Sequence, residues 1–163
     1  MERTVTAAPD TTRLPWRNWS GHQSGCPGLY TQPETLEALR EAMLNAQRLR
    51  VVGAGHSFTP LVPAKGTMIN LDRMAGVYSL DPDSGSARVG AGTRLRDLSP
   101  VFQEKGLAFP NLGDIDAQSI AGAVATATHG TGRDLPCLAA AVTGVRMLTA
   151  GGDQLEITLE NDS

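Results

Sequence analysis

The chain has 163 residues, 40% hydrophobic and 19% charged, with a formal net charge of −3 at pH 7. That length suits one domain with a real core and is too short for two sizeable ones, and the acidic balance argues against a nucleic-acid partner. The two cysteines, Cys26 and Cys137, form no CxxC or Cys/His pattern, so no metal site is expected. Two free thiols in a reducing compartment are expected, with a Cys26–Cys137 disulfide as the alternative. Residues 1–13 carry no apolar run of signal-peptide length, and no stretch reaches the ~20 apolar residues of a membrane span. The expected location is the cytoplasm.

Residues 1–15 are polar, contain Pro9 and Pro15, and are expected to form a disordered leader ahead of a single domain over residues 16–163. Trp16-Arg17-Asn18-Trp19-Ser20-Gly21 is the first stretch with anchoring side chains, and Trp19 is expected to pack on the domain edge. Pro33 and Thr35 precede Leu36, Leu39, Met43 and Ala46 at helical spacing. This predicts a helix over residues 35–48, capped by Thr35, with Glu37 in its first turn and its Leu/Met face on a sheet. Val51 and Val52 form a β-branched strand entering Gly53-Ala54-Gly55, and residues 68–71 form a second strand.

Residues 77–80 and 87–90 flank Asp81-Pro82-Asp83-Ser84-Gly85-Ser86, a hairpin signature. Thr93 is expected to cap a helix that runs to Lys105 and stops at Gly106, with Pro100 marking a kink or a join between two pieces. Residues 119–126 are rich in small side chains. Residues 142–149 and 154–158 form a second hairpin around Ala150-Gly151-Gly152-Asp153. Helix, strands, hairpin, helix, glycine-rich segment and hairpin make an α+β order without a repeated βαβ pattern.

Two stretches carry the chemistry. The first is Gly53-Ala54-Gly55-His56-Ser57. Its glycines allow positive φ and bring backbone within reach of a ligand, and successive N–H groups in such a turn form an anion nest suited to a diphosphate. His56, Ser57, Phe58, Thr59 and Pro60 follow where a Rossmann site would continue GxGxxG into a helix, and no GKS or GKT sequence is present. The second stretch runs from Asn111-Leu112-Gly113 through Ser119, Gly122 and Thr126 to Thr128-His129-Gly130-Thr131-Gly132. Small residues there let the backbone approach a flat ring and offer hydroxyl and N–H groups, while a tightly packed small-residue helix accounts for the same composition.

Together, these stretches resemble the PCMH-type FAD-binding domain of the vanillyl-alcohol-oxidase superfamily, and within it the branch of L-gulono-1,4-lactone and D-arabinono-1,4-lactone oxidases and alditol oxidase. The similarity runs from Asn18-Trp19-Ser20-Gly21 to about Glu156, and Leu71-Asp72, Val89-Gly90-Ala91-Gly92 and Gly106-Leu107 fall in the family order. The resemblance implies two small α/β subdomains with FAD between them. It implies cofactor contacts from Gly53, Ala54, Gly55, His56, Ser57, Asn111, Gly113, Ser119, Gly122, Thr126, His129 and Gly130, with the diphosphate on the loop over residues 53–57.

By the same resemblance, His56 is joined covalently to the flavin 8α-methyl; the alternative is a turn histidine that only hydrogen-bonds locally. His129 supports the flavin loop, more as structure than as a proton carrier. A bulkier residue than Gly113 shields the flavin from oxygen in dehydrogenase relatives, so Gly113 leans toward an oxidase. Asp72, Asp114 and Asp116 are expected in solvated or turn-capping roles, and neither cysteine in catalysis.

The family's flavin domain continues beyond a point such as residues 156–163, and a cap domain then supplies the substrate pocket and the acid/base residues. No residue of this chain matches that cap, so no catalytic residue is assigned. The expected function is the FAD-binding portion of an oxidoreductase taking hydride from a sugar lactone or polyol, the cap coming from the rest of a longer protein or from a separate chain. The competing expectations are an FAD-binding module that turns nothing over and an inert fragment.

Overall fold

The computed structural model describes residues 15–63 and 65–159. The leader expected over residues 1–15 lies outside the described residues except for Pro15. An N-terminal hairpin pairs β1 (Trp16–Arg17) with β2 (Ser24–Gly25). It leads into β3 (Leu29–Thr31), helix α1 (Leu36–Leu44), β4 (Leu49–Val52) and β5 (Thr67–Asn70). These three strands form a parallel sheet in the order β3-β5-β4, with Leu29 and Leu49 both opposite Thr67. One β–α–β crossover, β3–α1–β4, is therefore present; the other sheets are two-stranded and antiparallel. The central strand is buried at all four positions, Met68 and Ile69 completely, whereas Val51 on the edge is exposed.

Helix α1 forms where the apolar spacing places it. Thr35 caps it, its hydroxyl accepting the Ala38 N–H at 3.1 Å, and Glu37 pairs with Arg40 at 2.9 Å. It ends at Leu44, four residues short of the expected boundary, and Leu36, Leu39 and Met43 are only half-buried. Arg40 donates to the Gly152 carbonyl at 2.7 Å, which ties the helix to the turn of the last hairpin.

The first expected hairpin is β6 (Val77–Asp81) with β7 (Ser86–Val89). Helix α2 (Leu95–Glu104) follows and stops at Gly106, whose φ of +71° suits a glycine past a helix end. Two expectations need correction here. The cap position is Arg94, not Thr93. The Thr93 hydroxyl instead donates to the Gly90 carbonyl at 2.6 Å and accepts the Gly76 N–H at 2.9 Å, fastening the foot of the hairpin. The helix is also a single element through Pro100, so the proline does not join two separate pieces. The proline leaves the Arg96 carbonyl without its helical donor, and burial of Leu95, Leu98 and Phe102 holds the helix down.

Leu95 packs with Ala123 of α3 (Ile120–Ala125) and with Leu138 in a core flanked by Phe109 and Ile120. Phe102 and Phe109 meet at 5.0 Å between ring centroids. The last hairpin pairs β8 (Gly144–Leu148) with β9 (Gln154–Thr158). Its Val145–Ile157 and Met147–Leu155 pairs share one face and are exposed. Glu156 receives Arg146 and Arg88, each at 2.8 Å, and these two hold its carboxyl below the ordinary range.

Candidate functional site

The carboxyl ends of β3, β4 and β5 lie at one end of the parallel sheet, where open α/β sheets bind ligands. The loop after β4 carries Gly53, Ala54, Gly55, His56 and Ser57. Gly55 has φ +70°, a conformation that favours glycine. Two of the loop's carbonyls, and the one that follows, are taken: the Trp19 N–H donates to that of Gly55 at 3.0 Å, Asn18 Nδ2 to that of Ser57 at 3.0 Å, and Gln23 Nε2 to that of Phe58 at 3.1 Å. Among the described residues, no protein acceptor takes the N–H groups of Ala54, Gly55, His56 or Ser57. The loop thus gives the Gly55 and Ser57 carbonyls to the protein and keeps these donors free. Such a run of free donors attracts an anion.

The second stretch meets this loop through Ser119. A Cβ on Gly53 would overlap the Ser119 hydroxyl, and one on Gly122 would lie 3.1 Å from the same oxygen. Ser119 is buried and is bridged, antiparallel, to Arg94. The Thr126 hydroxyl donates to the Gly122 carbonyl at 2.9 Å, so its proton is committed within α3.

A second group gathers around Asn111. Its side chain donates to the Pro136 carbonyl at 3.2 Å, and a Cβ on Gly130 would overlap its Oδ1 and the Leu112 carbonyl. Gly113 lies across from the His129 carbonyl, 3.1 Å from where its own Cβ would be. The exposed His129 ring bonds the Gly130 carbonyl at 2.8 Å. The N–H groups of residues 112–117 likewise have no protein acceptor among the described residues. The expected site residues therefore fall into two clusters, residues 53–57 with Ser119 and Gly122, and Asn111 with Gly113, His129 and Gly130. Thr126 is joined to the first through Gly122.

Three features went unforeseen. Asn18 and Gln23 grip the His56 loop from the N-terminal hairpin. Trp19 stays 62% exposed and stacks on His56 with ring centroids 5.1 Å apart and planes 22° from parallel. Asp72, expected to be solvated or capping, pairs with Arg94 at 2.5 Å, with Asp72 Oδ1 and Arg94 Nη1 buried and unpartnered among the described residues. Tyr30 sits beside this pair; burial, and then the Asp72 charge, raise its phenol above the ordinary value near 10.0, against a smaller opposing effect of Arg94. Asp114 and Asp116 are exposed, as expected. A single asparagine, a glutamine and an ion pair 22 residues apart in sequence carry no local signal.

The family model described as an FAD binding domain matches residues 27–158. The chain belongs to this FAD-binding family, of the PCMH type. It is 38% identical over 151 residues to an L-gulono-1,4-lactone dehydrogenase of Mycobacterium tuberculosis, covering 90% of this chain and 35% of that protein. It is 35% identical to an L-gulonolactone oxidase of Bos taurus, covering 86% of this chain and 33% of the relative. With a putative D-arabinono-1,4-lactone oxidase of Neurospora crassa the identity is 35%, over 89% of this chain and 27% of the other. The chain thus spans about a third of the length of these relatives. Among solved structures, cholesterol oxidase from B. sterolicum superposes with a TM-score of 0.77 at 20% identity, over 92% of this chain and 32% of that one. That likeness shows a shared mixed α/β fold. Among the described residues, no helix is long and apolar enough to cross a membrane.

Proposed function

We propose that this chain is the FAD-binding portion of an oxidoreductase that removes hydride from a CH–OH carbon of an aldonolactone of the L-gulono-1,4-lactone kind, or of an alditol, with the cofactor tethered through His56. The observation that carries the reading is the loop over residues 53–57, which keeps its N–H groups free and sets His56 among them. FAD presents a diphosphate that accepts such donors, and Gly55, at φ +70°, gives the loop the turn that carries them. Asn111, Gly113, Ser119, Gly122, Thr126, His129 and Gly130 line the second wall in this reading. Bound there, FAD supplies the two-electron acceptor.

Tethering takes a bond from a His56 ring nitrogen to the 8α-methyl carbon. His56 would give up its ring N–H proton in forming that bond, and the bound flavin would supply the two-electron acceptor for the methyl C–H that is lost, with dioxygen or another acceptor reoxidising it. The relatives' names divide between oxidase and dehydrogenase. Gly113 favours dioxygen, since no side chain there screens the ring. The lactone pocket and the acid/base groups come, in this proposal, from polypeptide outside these 163 residues, in the same protein or in a separate chain.

The test is a visible spectrum of the purified chain before and after acid precipitation. A yellow pellet, lost in His56→Ala while soluble yellow colour remains, is the expected result. Acid-stable flavin in His56→Ala would overturn the assignment of the tether. A protein that stays colourless with added FAD would overturn cofactor binding by these residues alone.

A further inference from the structure

The geometry points to Trp19 as the positioning residue for His56, and to the N-terminal hairpin as a clamp that fixes the imidazole for tethering; the inference rests on the tether reading above. Three hydrogen bonds cross from this hairpin to the loop, at the carbonyls of Gly55, Ser57 and Phe58, on both sides of His56 in sequence. Asn18 Oδ1 accepts the Gln23 N–H at 2.9 Å, so the two residues that grip the loop also brace each other. The Trp16 ring backs Gly55, 3.2 Å from where a Cβ would lie. With the main chain held this way, the remaining freedom of His56 is rotation of its ring.

Trp19 restricts that rotation. Its indole lies nearly parallel to the imidazole, within the range of offset stacking, and Phe58 meets the indole edge-on at 6.1 Å and 86°. Burial does not explain an indole in this position, because most of its surface remains exposed. Bond formation from a ring nitrogen needs that nitrogen aimed at one carbon, and a ring held in place beforehand has less freedom left to lose. The clamp occupies residues 16–25, ahead of the span over residues 27–158 that defines the family.

The experiment compares the 163-residue chain with Trp19→Leu and Trp19→Phe. Two quantities are followed after adding FAD, the affinity for the cofactor and the rate at which acid-stable flavin accumulates. Nuclear magnetic resonance of the apoprotein reads the His56 ring protons. Trp19→Leu keeps the main-chain N–H that bonds Gly55, so affinity should change less than about threefold while attachment slows about ten- to hundredfold, the scale on which lost orientation acts. Trp19→Phe restores a ring and should recover most of the rate. The wild-type His56 protons should show ring-current shifts that Trp19→Leu abolishes.

Equal attachment rates in wild type and Trp19→Leu would overturn the proposal. So would a parallel loss of affinity and rate, which a purely structural role predicts, or a failure of Trp19→Phe to rescue. A wild-type chain that binds FAD without acid-stable flavin would instead refute the tether itself and with it Trp19's part in tethering. The ring-current shifts would then decide separately whether Trp19 holds the ring.

Discussion

Gly53 and Ser119 share one volume: the Cβ that glycine lacks would stand where the serine hydroxyl is, while the serine Cβ is 3.4 Å away from that point. Two stretches 66 residues apart in number therefore meet at a glycine and a hydroxyl, and only the hydroxyl is in conflict. Gly53→Ala should destabilise the chain by about 1–3 kcal/mol, the usual range for overpacking, and weaken FAD binding. Adding Ser119→Ala removes the overlapping oxygen and leaves an ordinary contact, so the double variant should regain most of the loss. Urea melts and an FAD titration on the four proteins check this. Additive losses would show that the two positions do not meet.

Gly130 gives the contrasting case. A Cβ there would overlap both Asn111 Oδ1 and the main-chain carbonyl of Leu112. Removing the asparagine side chain relieves one conflict and leaves the other. Gly130→Ala should therefore cost about 1–3 kcal/mol, and Asn111→Ala should fail to rescue it in the same melts.

The Asp72–Arg94 pair connects the end of β5 to the strand-like bridge at Ser119. Removing one partner leaves the other carrying a poorly paired charge. Asp72 retains some exposure, with 35% of its side chain accessible, so water softens the penalty. Arg94→Ala should cost about 1–2 kcal/mol, near the scale of a charged hydrogen bond. The double variant with Asp72→Ala should cost less than the sum of the two single changes, a coupling that a double-mutant cycle measures.

Tyr30 predicts an alkaline limit. Its phenol is raised in the folded protein by burial first and by Asp72 second. The neutral form is favoured in the folded state, so this stability is fully present below the unfolded value near 10.0 and is lost as pH rises through the higher folded value. Melts between pH 8 and 11 should show a decline that Tyr30→Phe reduces. An identical alkaline decline in Tyr30→Phe would assign it to other groups.

The parts of this molecule legible in its sequence are those with local signals. Thr35 and the Leu/Met spacing located α1, the turn residues over 81–86 located β6–β7, and Gly151-Gly152 located the last turn. Strands β1, β2 and β3 have two or three residues each, too short for a periodicity to register, and their partners lie elsewhere in the chain. Thr93 misled because a threonine before a helix has the right chemistry for a cap, yet here its hydroxyl serves the hairpin foot. Of the site, the glycine stretches and His56 were visible as motifs. The gripping by Asn18 and Gln23, the Trp19 stack and the Arg94–Asp72 pair depend on tertiary approach, which spacing does not encode.

The strand order β3-β5-β4 has a consequence for assembly. The two strands made first do not touch; each waits for Thr67–Asn70, the last of the three, to enter between them. The sheet therefore cannot start from β3 and β4; β4 must first find β5, and both pairings are parallel contacts across intervening chain, a slow kind of step. Hydrogen exchange during refolding should show Leu49–Val52 and Thr67–Asn70 gaining protection at the same moment, and the loop that holds His56, springing directly from Val52, cannot acquire its shape before then.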